Sequence, residues 1–450
     1  MITLRNTRVD VFANPIHISL FKLSWPIMIT NIVQSLYNMV DAFYLGKLGK
    51  VKFSAPTIAF PIVFIFMSFS MGLSSAGTAL VAQHIGAGNA RKAENSAMQT
   101  LTLSVFISLV IGLWGFFNSG WILKLLNIEE PIFGFAESYL KIIFLGMPFS
   151  FIMFAIVAIV RGWGNTVFTM NISVVSILLN IVLDPLLIFG IGFPRLEVVG
   201  AAWATVISRA VASIYSLYIL FTGKLGFKLH LVDIKPDWKD MLKILRIGMP
   251  AAIGQMITAM GFSIIMGIIA VFGPAVVSAY GVGNRVTSTI TMVGMSISGA
   301  VSTMVGQFLG ADDLKSVDET VRKGSIITFL IVSIMCTFLF LFGKQLTGIF
   351  VDDPEVVELG EIYFRLVSFS VPLFSVLSII MGAFQGSGHN ILIAVVNITR
   401  LWGIRVPLVK IFADLYGFKG VFYAMTISNT LALLLGYSIM KLVKWKKKVI

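Results

Sequence analysis

Long apolar stretches, most of them about twenty residues or more, follow one another along almost all of this 450-residue chain. Only 12% of the residues are charged, about half the share typical of soluble domains, whereas 57% are hydrophobic. A soluble fold of this size would lack the polar side chains needed to cover its surface, but lipid removes that requirement. The composition therefore predicts an all-α polytopic membrane protein. Basic loops at the membrane explain the net charge of +13 better than nucleic-acid binding does.

Twelve transmembrane helices are predicted from these stretches, since about 20 apolar residues cross the hydrocarbon layer of a bilayer. Several of the stretches are longer, so these spans are expected to tilt or to extend beyond the bilayer. Their approximate bounds are 17–45, 53–83, 95–121, 133–160, 167–191, 197–222, 241–272, 276–307, 323–346, 357–385, 391–413 and 418–441.

Lysine and arginine residues predict the orientation of the spans, because they concentrate in cytoplasmic loops. In this sequence they are frequent before span 1, in the loops after spans 2, 6 and 8, and in the carboxy-terminal tail. The loops on the opposite side hold few of them. We therefore expect a multi-pass protein of the cell membrane with both termini in the cytoplasm.

The two halves of the sequence are related by a repeat with a constant offset of 224 residues. Each half holds six spans, an even number, so the halves have the same orientation and are parallel repeats related by a pseudo-two-fold axis along the membrane normal. The predicted lobes are residues 1–222 and 241–450, joined by a cytoplasmic linker loop at 223–240. The paired segments include Pro26 with Pro250, VAQHIGAGN (81–89) with VGQFLGADD (305–313), Pro148 with Pro372 and, after a short gap, GAAWATVIS (200–208) with GVFYAMTIS (420–428).

These motifs resemble those of the multidrug and toxic compound extrusion (MATE) family over nearly the whole chain. Besides the two loop motifs and GAAWATVIS, the resemblance rests on LSWPIMI and SLYNMVDAFYLGKLG in span 1 and LNIVLDPLLIFG in span 5. Spans 1 and 5 are most similar to the branch of the DNA-damage-inducible DinF proteins. The resemblance implies a V-shaped fold of two lobes, and export of drug-like or toxin-like organic compounds in exchange for sodium ions or protons.

The absence of an ATP-binding motif indicates the source of energy independently of the resemblance. No GxxxxGK(S/T) phosphate loop occurs in the sequence, so we expect an ion gradient rather than ATP to drive transport. We expect no enzymatic activity and no cofactor other than the coupling ion. The expected partners are a small organic substrate and the lipid bilayer, and the expected state is a monomer.

Two carboxylates stand within the predicted spans, Asp41 in span 1 and Asp184 in span 5. A charge in the hydrocarbon region costs roughly 2.5–3.5 kcal/mol, so such residues usually serve a function. Both spans run outward, and each Asp lies five or six residues before a glycine near the end of its span. The two carboxylates are therefore expected at similar depth. Asn180 lies one turn before Asp184 on the same face, and Thr205 of span 6 is expected at a matching depth.

Such a group of oxygen atoms suits a hard cation. Alternatively, one carboxylate could carry a proton, because burial favours the neutral acid. For sodium, the metal ligands would include Asp41, Asn180 and Asp184. Supporting contacts are expected from Gln34, Tyr37 and Tyr139. The resemblance implies an amino-terminal cation site whose matching positions are Asp41, Asn180, Asp184, Ala201 through its carbonyl, and Thr205.

Three prolines are predicted as bends or hinges within the spans, because proline removes a backbone hydrogen-bond donor from a helix. They are Pro26 in span 1, Pro185 in span 5 and Pro250 in span 7. Pro185 directly follows Asp184, so a bend there would expose carbonyl oxygens beside the carboxylate.

The second half lacks the carboxylates of the first. Ile265 occupies the position paired with Asp41, and no Asp or Glu occurs between Met241 and Ala311. Coupling is therefore expected in the first lobe. An intramembrane aspartyl protease, which also uses two Asp residues, is disfavoured because its Gly-x-Gly-Asp signature is missing and the repeat would be unexplained.

Arginines in or near the spans keep a second function open. Arg285, Arg400 and Arg405 would give a cavity a positive lining that attracts an anionic substrate or a lipid headgroup. The alternative to drug export is therefore a flippase for a lipid-linked precursor, from the same wider superfamily.

Overall fold

The computed structural model describes residues 7–450, so the first six residues of the expected amino-terminal lobe lie outside the described part. Helices dominate the described residues, and none of residues 7–450 lies in a β-strand. The helices of the first half are α1 (Ile16–Gly46), α2 (Lys50–Gly86), α3 (Ala90–Leu125), α4 (Ile132–Leu145), α5 (Met147–Trp163), α6 (Thr166–Phe189) and α7 (Val198–Thr222). Those of the second half are α8 (Trp238–Ala270), α9 (Pro274–Gly310), α10 (Leu314–Phe350), α11 (Pro354–Val367), α12 (Val371–Gly386), α13 (Asn390–Ile398), α14 (Val406–Tyr416) and α15 (Phe418–Leu442).

The twelve predicted spans are confirmed when two bent helix pairs are each counted as one span. Among the described residues, ten helical segments are long and apolar enough to cross a membrane, and the bent pairs α4–α5 and α11–α12 bring the number to twelve. One of the ten, Asn390–Tyr416, joins α13 and α14 through a π-helix at Thr399–Arg405. The all-α polytopic fold class is therefore correct.

The two sharp bends lie at Pro148 and Pro372, which are paired by the repeat and are not among the predicted hinges. The bends are 49° between α4 and α5 and 52° between α11 and α12, and Pro148 and Pro372 stand in the first turn after each break. Proline fits the first turn of a helix, where its missing N–H would be unpaired in any case. By contrast, the expected hinges Pro26, Pro185 and Pro250 lie inside α1, α6 and α8, and their hinge role stays a prediction.

The repeat is preserved in the loops that follow α2 and α9. Gly88 and its counterpart Asp312 both have a positive φ, of 72° and 60°. The next residues, Asn89 and Asp313, cap α3 and α10. The side chain of each accepts a hydrogen bond from the backbone N–H three residues later, at 3.1 Å and 3.0 Å respectively. The two loops therefore share one backbone conformation and one type of helix cap, although their residues differ.

Glycine packing repeats in the same way. A Cβ atom on Gly162 would clash with the carbonyl oxygen of Thr78, and one on Gly386 would clash with the carbonyl oxygen of Ser302. Both residues of the second pair lie 224 positions after those of the first. The repeat therefore extends from the sequence to the closest helix contacts of each half.

Removing the cap of α10 should lower the stability of the protein. Asp313→Ala deletes the carboxylate that accepts from Ser316, and loss of such a cap costs about 0.5–2 kcal/mol. Hydrogen bonding from Ser316 lowers the pKa of Asp313, so the charged cap contributes at neutral pH and its contribution is lost as the pH falls through the folded-state pKa. Asp313→Asn keeps an acceptor, as Asn89 does in the first half, and serves as control. Thermal unfolding in detergent measures both variants; equal losses would contradict the capping role.

The packing of helices divides the described chain into two compact units. The first unit comprises residues 7–9 and 29–252, and the second comprises residues 10–28 and 253–450. The boundaries fall inside α1 and α8, within three residues after Pro26 and Pro250. Each of these two helices therefore contributes to both units. The units differ from the two halves of the chain because the first part of α1 belongs to the second unit and the first part of α8 belongs to the first unit.

The linker 223–240 is anchored to α3 within the first unit. The side-chain amide of Gln99 donates to the carbonyl oxygens of Asp233 and Lys235, both at 2.8 Å. Arg91, near the start of α3, forms an ion pair with Asp233 at 2.5 Å. The linker is thus a folded part of the first unit, and includes a short 3-10 helix at Leu231–Ile234.

Candidate cation site and cavity of the first unit

The candidate site begins with two buried polar residues of α6. Asp184 is fully buried and Asn180, one turn earlier, is 4% exposed. Among the described residues, neither carboxylate oxygen of Asp184 has a hydrogen-bond partner, nor has the side-chain oxygen or nitrogen of Asn180. A buried polar group left unpaired costs about 1–3 kcal/mol, and a charged group costs more. The four atoms are therefore suited to a ligand that supplies the missing interactions.

Asp41 of α1 is the second acidic residue of this site. It is half-buried and close enough to Asp184 for the two carboxyl groups to interact electrostatically. Tyr37, one turn earlier, and Tyr139 of α4 lie within electrostatic range of both carboxyl groups. The structure thus brings together the two carboxylates that were predicted from their depth in separate spans.

Thr205 of α7 joins the same group. Its hydroxyl oxygen lies 3.5 Å from the hydroxyl oxygen of Tyr37, which links α7 to α1. The position of α7 is fixed against α6 by Gly200, since a Cβ on that residue would lie 2.5 Å from the carbonyl oxygen of Leu187. A small residue at this contact allows two helix backbones to approach closely. Gly200 therefore sets the distance between Thr205 and Asp184 of α6.

An apolar layer closes one side of the polar group. Leu45, Ile188 and Ala201 form a buried cluster in which Tyr44 and Phe189 take part. The carbonyl of Ala201 belongs to the hydrogen-bond ladder of α7 and keeps one lone pair, so its role as a ligand stays a prediction. Each member of the layer lies one turn from a polar residue of the site: Leu45 from Asp41, Ile188 from Asp184 and Ala201 from Thr205.

A cavity of about 380 Å³ opens on the other side of the polar group. Its lining on α1 and α6 consists of residues that precede Asp41 and Asp184 in the chain, and so lies away from the apolar layer. Of the predicted site residues, those that line it are Gln34, Tyr37, Asn180 and Thr205. An ion at the carboxylates would therefore adjoin a space large enough for a small organic molecule.

Two arginines of the cavity wall were not among the predicted site residues. Arg161 stands in the last turn of α5, and Arg209 lies one turn after Thr205 on α7. Arg209 donates a hydrogen bond to the hydroxyl oxygen of Ser150 at 2.8 Å. The sequence shows each of these arginines inside or at the edge of an apolar span. It does not show which face of the helix the arginine occupies, so their place in the cavity wall was not predicted.

The structure gives less support to the roles predicted for Gln34 and Pro185. Gln34 lines the cavity, but its side-chain amide donates to Asn38 at 3.2 Å. Pro185 follows Asp184 without interrupting α6. Among residues 7–450, no group of three or more His, Cys, Asp or Glu side chains could hold a metal ion. Two carboxylates with neutral oxygen atoms suit a singly charged hard cation or a proton.

Removing the hydroxyl of Tyr37 should weaken ion-driven transport without abolishing it. Tyr37→Phe deletes the contact with Thr205, and a hydrogen bond of this kind is worth about 0.5–1.5 kcal/mol. We expect the ion concentration for half-maximal transport to rise by about two- to tenfold, since 1.4 kcal/mol is a factor of ten. Tyr44→Phe, on the same helix but in the apolar layer, is the control. An unchanged ion dependence in Tyr37→Phe would show that this hydroxyl does not support the site.

Comparison with known proteins gives consistent results over the whole chain. The MatE family model matches residues 26–186 and 250–411, once in each half. The probable multidrug resistance protein YoeA of Bacillus subtilis is 27% identical over 100% of this chain and 97% of its own length. The probable multidrug resistance protein NorM of Thermotoga maritima is 28% identical over 96% of this chain and 93% of its own length.

Solved structures agree on the fold. A structure described as the outward-facing conformation of a multidrug resistance MATE family transporter is 24% identical, covers 99% of both chains and superposes with a TM-score of 0.90. A transporter of the MOP superfamily from Pyrococcus furiosus, also 24% identical, covers 100% of this chain and 99% of its own with a TM-score of 0.89. Together with the two family-model matches, these likenesses show that the chain belongs to the MATE family of multidrug efflux proteins and is a transporter rather than an enzyme.

Proposed function

We propose that this transporter exports drug-like organic compounds in exchange for a cation, sodium or proton, that binds at Asp41 and Asp184. The observation that carries the proposal is the set of unpaired buried atoms on Asn180 and Asp184, beside a second carboxyl group and next to a cavity. A purely structural carboxylate would be expected to have a partner in the fold, because an unpaired buried charge is strongly destabilising.

The arrangement suggests how the ion would act. Two carboxylates within electrostatic range repel each other, so a cation between them stabilises the packing of α1 against α6. Tyr37, Asn180 and Thr205 belong to the ion site and also line the cavity. Binding of the ion therefore alters the walls that an organic substrate contacts. Exchange requires that the ion and the substrate prefer different conformations, and shared wall residues provide such a linkage.

The descriptions of the relatives support an organic substrate, but they name different kinds of organic compound. YoeA and NorM are described as probable multidrug resistance proteins, and a relative from Shewanella oneidensis, 26% identical over 94% of both chains, is described as an FAD transporter. We propose drug-like compounds as the substrate class. The proposal also includes a monomer in the cell membrane with both termini in the cytoplasm, as the basic loops indicate.

The flippase alternative is favoured by one observation, the buried arginines Arg400 and Arg405 of the second unit. A headgroup of a lipid-linked precursor would supply negative charge for them. A soluble organic anion would do so equally well, and the position of the acidic site in the first unit supports ion-driven exchange.

Transport into sealed liposomes tests the proposed function. Purified protein is reconstituted, and uptake of a fluorescent organic cation and, in parallel, of a fluorescent organic anion is followed under a sodium gradient and, separately, under a pH gradient. We expect one gradient to drive dye against its own concentration difference, and that gradient identifies the coupling ion. Protein-free liposomes and the Asp41→Asn variant are the controls. Absence of dye movement under both gradients would contradict the proposed exchange.

A further inference from the structure

The π-helix in the second unit places two arginines on one face of a membrane-spanning segment. In a π-helix, each N–H bonds to the carbonyl five residues earlier, so residues five apart lie one turn apart. Arg400 and Arg405 are separated by this interval within Thr399–Arg405. Both side chains are almost fully buried, at 4% and 3% exposed, and they are close enough to repel each other. In a regular α-helix the two would point in different directions.

Arg405 is held by neutral groups. Its Nε donates to the hydroxyl oxygen of Ser428 at 2.7 Å, and a terminal nitrogen donates to the side-chain oxygen of Asn429. The amide nitrogen of Asn429 donates in turn to the hydroxyl of Ser370, at 3.1 Å. These hydrogen bonds orient the guanidinium group, but they do not neutralise its charge.

Arg400 is less completely satisfied. Its guanidinium carbon lies 4.5 Å from the ring centre of Phe374, a cation–π contact. Its Nε is buried and has no hydrogen-bond partner in the part of the chain that the structure describes. Stacking on an aromatic face leaves the edges of a guanidinium group, where its N–H donors point, open to a planar anion.

Within the described part of the chain, no acidic side chain balances the two arginines. None of the ion pairs formed among residues 7–450 includes Arg400 or Arg405. The neighbours that face Arg405 from α9 and α11, Tyr280 and Tyr363, carry neutral hydroxyls. An arginine keeps its proton in proteins, so it cannot lose its charge as a buried lysine can. Two like charges buried together in a membrane segment are costly unless an anion accompanies them.

We propose that Arg400 and Arg405 bind the carboxylate or phosphate of the transported compound, so that this transporter prefers organic substrates that carry an anionic group. This inference rests on the proposed function, since it names the class of its substrate. Guanidinium groups bind carboxylates and phosphates through paired, charge-assisted hydrogen bonds. The acidic site of the first unit then takes the driving cation, and the arginine pair of the second unit takes the anionic part of the cargo.

A matched pair of dyes tests this preference. Rhodamine 110 carries a free carboxylate, and rhodamine 123 is its methyl ester. Binding of each to the purified full chain in detergent is measured by fluorescence anisotropy. We expect the wild type to bind the carboxylate dye about tenfold more tightly or better, as charge-assisted hydrogen bonds allow. In Arg400→Gln this difference should vanish while binding of the ester is unchanged. Arg365→Gln, which alters an exposed arginine of α11, should keep the preference.

Several results would overturn the proposal. One is a wild type that binds the carboxylate dye no more tightly than the ester, and another is a preference that survives in Arg400→Gln. Arg400→Lys keeps the charge and should retain part of the preference. The unfolding temperature of Arg400→Gln without dye should not fall, because the variant removes a buried charge; a clear fall would indicate a structural arginine.

Competition separates the two sources of an anionic group. If phosphatidylglycerol in mixed micelles displaces the carboxylate dye and soluble citrate does not, the site belongs to a lipid and the assignment to substrate is wrong. Displacement by citrate would support that assignment. Binding is measured without an ion gradient, so failure of the proposed exchange and failure of the anion preference are independent results.

Discussion

Asp184→Asn is expected to abolish ion-driven export while leaving the fold intact. The side chain is buried on α6, and neither of its oxygens has a hydrogen-bond partner among residues 7–450. The substitution therefore removes charge without breaking a hydrogen bond within that part of the chain. An amide binds a cation more weakly than a carboxylate, and it cannot carry the exchanged proton. We expect gradient-driven transport to fall by about 100-fold or more, which corresponds to roughly 3 kcal/mol of lost ion binding.

Dye uptake into liposomes measures this loss, and thermal unfolding in detergent checks the fold. Asp352→Asn, at an exposed carboxylate between α10 and α11, is the control and should transport normally. Asp41→Asn should have a similar effect, and the double variant should be little worse than either single variant, because residues of one site do not act additively. Normal gradient-driven export by Asp184→Asn would show that the ion binds elsewhere.

The second large effect is expected from Gly200→Ala, although this substitution adds only one methyl group and changes no charge. The added methyl group would lie 2.5 Å from the carbonyl oxygen of Leu187, so α7 must move away from α6. Overpacking of this kind costs about 1–3 kcal/mol of stability. It also moves Thr205 away from Asp184, and we expect ion-driven transport to slow by about tenfold or more, since each 1.4 kcal/mol of lost ion binding is a factor of ten.

Gly46→Ala is the matched control for this substitution. Gly46 ends α1 in the same unit, and a Cβ there would meet no atom within 4 Å. Its transport rate and unfolding temperature should be close to those of the wild type. Equal effects of the two substitutions would mean that the α6–α7 contact does not determine the geometry of the site.

The spans and the proximity of the two acidic residues could be predicted from the sequence, and the reason is energetic. A bilayer penalises charge so strongly that long uncharged stretches define the helices, and Asp41 and Asp184 are conspicuous within them. A rise of 1.5 Å per residue then relates position in the chain to depth, and the structure does bring the two residues together.

Features that depend on contacts between helices were not predictable in the same way. The apolar layer of Leu45, Ile188 and Ala201 comes from three helices, and nothing in any one segment shows that its apolar residue meets the other two. The π-helix at Thr399–Arg405 lies inside a segment that was predicted only as one apolar span, 391–413. The bends before Pro148 and Pro372 could have been predicted, because proline favours the first turn of a helix and the two residues are a repeat pair.

Ion movement driven by substrate tests the central claim most directly. Liposomes with reconstituted protein are loaded with the fluorescent substrate and diluted into substrate-free buffer, and entry of radioactive sodium or of protons is recorded. If the carboxylates of Asp41 and Asp184 carry the exchanged ion, the wild type will draw one of the two ions inward as substrate leaves, and Asp41→Asn will not. Ion entry at the wild-type rate in Asp41→Asn, with substrate still leaving, would contradict the account.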